Sequence, residues 1–141
     1  MSDEKRIYVV VAETVQQQVT GRSTTQVCGR IAAQCAHVVS KMQVARYLDA
    51  KDYDTQDGQL IPCTTIVLAA RDSAEMMHIF GLIQKHTKVA FAHFHDINPE
   101  VYGHDGKVLT AICTEPTTAE SMVGITDYLP LWIHGRNVAG I

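Results

Sequence analysis

The patterning of the chain predicts an α/β fold, a three-layer α/β/α sandwich around a small mixed four-stranded sheet. Three observations carry that expectation. Apolar, β-branched runs at 7–12, 64–69, 89–95 and 108–114 read as strands. Between the first three lie stretches in which apolar residues recur every three or four positions, the period of a helix buried along one side. The connection from the third run to the fourth is short and permits one antiparallel strand pair. The order expected is β-α-β-α-β-β-α.

The 141 residues fit one domain, 1–141, large enough to bury a core without disulfides or metals. Hydrophobic residues make up 46% and charged residues 19%, the balance of an ordinary globular protein rather than a low-complexity chain. No apolar run reaches the length needed to span a bilayer, and the N-terminus opens on charged residues rather than a signal pattern, so a cytoplasmic protein with no membrane partner is expected. The four cysteines, at 28, 35, 63 and 113, lack the close pairing of a zinc ribbon and are expected to be free thiols. A net charge of −3 argues against a generally basic nucleic-acid-binding surface. Locally the balance reverses: Arg22, Arg30, Lys41 and Arg46 fall in a stretch from 14 to 48 that holds no acid.

The run at 7–12 is bounded by charges and reads as a central strand covered on both faces. Residues 13–28 form a long polar loop whose Ser23 or Thr24 is expected to cap the first helix, and a loop of this length suggests a mouth or an insertion. The helix itself is expected from near Gln26 to Leu48. Turn-rich residues 49–58 end it, and strand two follows Pro62. Asp72-Ser73-Ala74-Glu75 has the form of a capping box, with Met76, Ile79, Phe80 and Ile83 as the core stripe of the second helix. Strand three runs into Asp96, and turn signals at Asn98-Pro99 and Asp105-Gly106 precede strand four. Thr117-Thr118-Ala119-Glu120 is expected to cap a third helix with Met122 and Ile125 inward. Leu129, Leu131 and Trp132 then form an apolar patch or edge segment suited to a homodimer contact, and residues 135–141 a loose tail.

Two features could carry chemistry. Along the first helix Ile31, Cys35, Val38, Met42 and Ala45 make a buried stripe, and Arg30, Gln34, His37 and Lys41 make a polar stripe one position back, able to line a site. His93 and His95 share one side of a strand at the spacing of a metal-binding pair. Only Asp96 or His104 stands near as a third ligand, so no metal and no cofactor are expected and polar strand histidines are the preferred reading.

The order Gly29-Arg30-Ile31-Ala32-Ala33-Gln34-Cys35-Ala36-His37 resembles the signature of the type 2 peptidyl-tRNA hydrolases, in which a glycine and a basic residue precede x-Ala-Ala-Gln-x-x-His. Thr110-Ala111-Ile112-Cys113-Thr114-Glu115-Pro116, leading to Thr126-Asp127-Tyr128-Leu129, is similar to that family's last strand and helix. Asp96 stands where the family closes its third strand with an aspartate. The resemblance spans residues 7 to 132. It implies the same α/β/α architecture and a reaction in which water cuts the ester between a peptide and the terminal ribose of tRNA. It further implies an acid/base and orienting pair in His37 and Asp96, a hydroxyl donor in Thr110, and substrate contacts from Arg30 and Gln34, to which Lys41, next along the polar stripe, is added as a substrate-binding candidate.

Two departures from the family pattern stand out. Arg30 replaces the signature lysine, and arginine is a permanently charged fork rather than a proton shuttle. Asp96 is followed by Ile97-Asn98-Pro99-Glu100-Val101 where the family has Ala-Gly-Arg-Thr-Gln, so Asn98, Tyr102 or the 13–28 loop would have to compensate. Two readings follow: an esterase acting on peptidyl- or aminoacyl-tRNA, or a tRNA- or protein-binding module on the same fold whose catalytic groups have decayed.

Overall fold

The computed structural model describes residues 4–16, 22–48, 55–56, 59–60, 64–97, 102, 106–132. Its elements in chain order are β1 (Lys5–Ala12), β2 (Thr14–Gln16), β3 (Ser23–Thr25), α1 (Cys28–Leu48), β4 (Thr55–Gln56), β5 (Gln59–Leu60), β6 (Thr64–Ala70), α2 (Ser73–His86), β7 (Phe91–Ile97), β8 (Lys107–Thr114) and β9 (Thr117–Thr118). A single 3-10 turn at Glu120–Met122 follows. The fold is mixed α/β, with the two helices α1 and α2 among the described residues and a mixed principal sheet of order β6-β1-β8-β7, to which β9 adds alongside β1. β1 and β6 are parallel, whereas β8 runs antiparallel to both β1 and β7.

Central strand β1 alternates between two cores, as the two-residue period of a strand requires. Tyr8, Val10 and Ala12 pack with Met76, Ile79 and Ile83 of α2, together with Leu109, Ile112, Met122, Ile125 and Leu129. Val9 and Val11 pack with Ile31, Val38 and Met42 of α1 and with Ala111 and Cys113 of β8. Each fully buried aliphatic side chain contributes about 1.5–3 kcal/mol, so the register of β1 is fixed from both sides. A one-residue slip would exchange the two sets.

Several expectations need correction. The principal sheet has five strands rather than four, because the backbone of Thr117 and Thr118 pairs with Arg6 and Lys5, while the Thr118 hydroxyl still accepts from Ser121 N–H at 3.3 Å at the start of the turn that follows. Pro116 lacks an N–H and breaks β8 from β9. At that break the Tyr8 N–H donates to Thr114 Oγ1 at 3.0 Å. The expected third helix shrinks to the 3-10 turn at Glu120–Met122, although Met122 and Ile125 do face inward. Ser23 and Thr24 do not cap α1: they lie in β3, which pairs with β2 as a hairpin, and α1 starts from Val27, whose carbonyl accepts from Ile31 N–H at 3.2 Å. Ala45 is exposed, so of the expected α1 stripe Met42 is the last buried member.

The capping box at α2 forms in modified shape. Glu75 N–H donates to Asp72 Oδ1 at 2.9 Å, while the Glu75 carboxylate accepts from Arg71 N–H, one residue earlier than the motif requires. The apolar residues 129, 131 and 132 do not make a patch: Leu129 is buried, Trp132 packs partly against the α1 core, and only Leu131 is exposed. They form instead the edge segment that is the other expectation: Leu131 bridges to Leu68 along the outer edge of β6, with Ala69 N–H donating to Pro130 O at 2.9 Å and Trp132 N–H to Val67 O at 3.0 Å. The Asn98-Pro99 turn, Asp105, Cys63, His104, most of the 49–58 turn region and the 135–141 tail lie outside the described residues.

Candidate functional site

Strand β7 lies at the opposite edge of the sheet from β6, and its two faces carry different chemistry. Ala92 and Phe94 pack into the α1 core, and Asp96 follows them on that side. Phe91 packs with the α2 core, and the rings of His93 and Phe80 meet edge to face at 5.2 Å between centroids. The alternation survives to the end of β7 because the irregularity lies on β8: Phe94 pairs with Ala111 and His95 with Leu109, so Thr110 is the extra residue.

The polar stripe of α1 lies along the α1-side face and edge of β7. Arg30 pairs with the Asp96 carboxylate through Nη2 and Oδ2. One turn later Gln34 Nε2 reaches the same oxygen at 3.5 Å. His37 stacks on Phe94, with centroids 5.0 Å apart and planes 16° from parallel. Lys41 Nζ donates to the His93 carbonyl at 2.5 Å, covering an outward backbone acceptor on an edge strand. A 3.6-residue period laid beside a strand thus converts four sequence positions into a row of contacts.

Two further groups complete the surroundings of Asp96. Tyr102 Oη donates to Oδ2 at 3.1 Å. Gln26, from the end of the 13–28 segment, locks Gln34 in an amide pair: Gln34 Nε2 donates to Gln26 Oε1 at 2.7 Å, and Gln26 Nε2 donates to Gln34 Oε1 at 3.2 Å and to the Ala12 carbonyl at 2.6 Å. Both glutamines are buried, Gln34 to 2% exposure. Their amide orientations are therefore set by partners, since a buried unsatisfied amide costs about 1–3 kcal/mol. The Gln26 backbone is held as well, its N–H donating to Glu13 O at 2.8 Å beside the β2–β3 hairpin.

All three side-chain donors converge on Oδ2, which leaves Asp96 Oδ1 without a hydrogen-bond donor among the described residues. For Arg30, burial acts to lower the pKa, but Asp96 and then Tyr102 outweigh it and the guanidinium is held above its ordinary value. Burial, followed by the Asp96 charge, pushes the Tyr102 phenol up to about 12. Tyr102 is therefore a neutral O–H donor at physiological pH. Gly106 fixes its approach: a Cβ there would sit 2.6 Å from the Tyr102 carbonyl carbon, so only glycine lets the chain pass.

Of the residues singled out in the sequence, Arg30, Gln34 and Asp96 come together directly. His37 lies one turn further along α1, over Phe94, and its ring is exposed. Lys41 is at the strand edge. Thr110 is fully buried in the β8 bulge, and its hydroxyl has no hydrogen-bond partner among the described residues. Tyr102 and the 13–28 segment, named as sources of compensation for the altered residues after Asp96, supply the phenol and Gln26. Gln26 itself carries no sequence signal beyond being the last polar side chain before α1; Gly106 is visible only as half of a turn dipeptide. Among the described residues no group of three or more His, Cys, Asp or Glu side chains is arranged to hold a metal ion, and no helix is long and apolar enough to cross a membrane. No protein-family model and no curated protein matches the chain.

Proposed function

We propose that the chain is a divergent relative of the type 2 peptidyl-tRNA hydrolases that cleaves the ester joining a peptidyl or aminoacyl group to the 3′ end of tRNA. The observation that carries this reading is the convergence of Arg30 and Gln34, two positions of the signature, on Asp96 at one end of β7, with His37 on the next turn of α1. A three-layer α/β/α arrangement belongs to the same reading, supported by the separate cores that α1 and α2 make with alternate residues of β1.

In this reading the exposed imidazole of His37 accepts a proton from water as the oxygen attacks the ester carbonyl, and returns it to the departing ribose oxygen. The products are a peptide acid and a tRNA 3′ hydroxyl. Asp96 Oδ1 is the acceptor that orients the attacking water, while Arg30 supplies positive charge beside the developing oxyanion. Tyr102 stands in for a hydroxyl donor missing after Asp96. Thr110, fully buried in the β8 bulge, cannot reach substrate and has no part as the expected hydroxyl donor in this reading.

The direct test is release of peptide from a model peptidyl-tRNA by the full chain. Turnover is expected, falling about 100-fold or more in His37→Ala and Asp96→Asn, the usual loss for an acid/base group. Wild-type protein as inert as both variants rejects hydrolysis. A second reading, a tRNA-binding module without turnover, is favoured by one observation: Asp96 is already neutralised by Arg30. Salt-dependent tRNA binding with no release of peptide selects it.

A further inference from the structure

The opposite face of β7 carries groups that the ester reading does not use. There the register places His93 opposite Ile112, His95 opposite Leu109 and Ile97 opposite Lys107. Leu109 and Ile112 are buried in the α2 core, and Ser73, at the start of α2, donates through Oγ to Leu109 O at 3.0 Å. Beyond that cover His95 and Lys107 are exposed, and Ile97 is 66% exposed. The His93 and His95 rings meet edge to face at 5.2 Å, so His95 is propped by a ring that itself rests on Phe80.

We infer that His95, Ile97 and Lys107 form a ledge that binds single-stranded RNA, with a base on the His95 ring and Ile97 and a phosphate on Lys107. The inference rests on the proposed substrate, whose reacting ester lies at a single-stranded 3′ end. Asp96 and His95 are consecutive residues on opposite faces of an edge strand, so a strand whose terminus lies at Asp96 reaches the ledge by crossing the β7 edge. Lys41 stands at that crossing, bound to the His93 carbonyl and close enough to act electrostatically on both imidazoles.

Charge and ring chemistry agree with this occupant. Burial first, then Lys41 and His95, hold the His93 imidazole below its usual range; burial, then Lys107 and Lys41, do the same for His95. Both rings are thus neutral near pH 7, offering flat surfaces for stacking, while the lysines supply the positive charge. An otherwise acidic chain so presents an aromatic ring, an apolar side chain and two cations together, the combination that binds single strands without reading their sequence.

The test is fluorescence anisotropy of a short labelled single-stranded RNA with the full chain, over a range of salt concentrations. His95→Ala is expected to weaken binding about five-fold or more, the loss of one stacked base, and His95→Phe to retain it. Lys107→Ala is expected to flatten the dependence of log affinity on log salt by about 0.7, one phosphate contact on a single strand. These side chains are exposed, and thermal midpoints equal to wild type establish that the fold is intact. The inference is overturned if the wild-type chain does not bind, if His95→Ala and Lys107→Ala bind as wild type does, or if an RNA duplex binds as well as the single strand. Binding lost with peptide release retained removes the ledge alone; release absent with binding retained removes the ester reading alone.

Discussion

The Gln26–Gln34 amide pair makes the most demanding prediction, because replacing both members should cost no more than replacing either one alone. In Gln34→Leu the bonds at 2.7 and 3.2 Å are lost and the Gln26 carbonyl oxygen is stranded in a buried site. Each lost bond costs about 0.5–1.5 kcal/mol and a stranded buried acceptor about 1–3. The 3.5 Å contact to Asp96 is at the limit of a hydrogen bond and adds little. After credit of about 1–2 kcal/mol for the buried leucine, the net loss is about 2 kcal/mol. Gln26→Leu loses the same pair and also the donor to Ala12 O, for about 2–3 kcal/mol. In the double leucine variant neither amide is stranded, and only the Ala12 carbonyl lacks its partner. Its cost should be about 1–2 kcal/mol, against about 4–5 for the sum of the singles, which implies a coupling of about 3 kcal/mol. Urea denaturation followed by fluorescence of Trp132, the one tryptophan in the sequence, measures all three variants. A double variant whose loss equals the sum of the singles within about 0.5 kcal/mol refutes the pairing.

Two further predictions concern Tyr102 and its support. A phenol raised from 10.0 to about 12 by burial and Asp96 favours the folded state while it is protonated. That contribution is complete below about pH 10 and is lost as pH rises from about 10 to about 12, so stability should fall by on the order of 1–2 kcal/mol across that window, less solvent screening. Tyr102→Phe should remove both this fall and one late-titrating phenol from the absorbance at alkaline pH, and Asp96→Asn should move the titration toward the ordinary value; unchanged curves would show that the phenol does not face the carboxylate. Gly106→Ala should cost about 1–3 kcal/mol through its overlap with the Tyr102 backbone, and the same titration should shift downward as the Tyr102–Asp96 bond loosens. A variant as stable as wild type, with the phenol still titrating late, contradicts the close approach.

Local sequence determined the α/β class, the approximate positions of the main strands and both helices, and the faces α1 presents. Those properties follow from side-chain period and are legible one segment at a time. The stripe of Arg30, Gln34, His37 and Lys41 and the strand-ending Asp96 could both be marked in the same way. What could not be read was the partner of each. Tertiary structure decided that Asp96 takes Arg30, Gln34 and Tyr102 rather than His37, because the pairing depends on which turn of α1 passes the end of β7. It decided that Thr117 and Thr118 extend the sheet, because their backbone meets Arg6 and Lys5 of β1, a pairing that the local capping signal at Thr118 does not reveal. It likewise turned Leu129 and Trp132 inward and made Gln26 the support of Gln34. Periodicity records which face of an element is apolar, whereas contacts between distant segments depend on where the whole chain sets those faces.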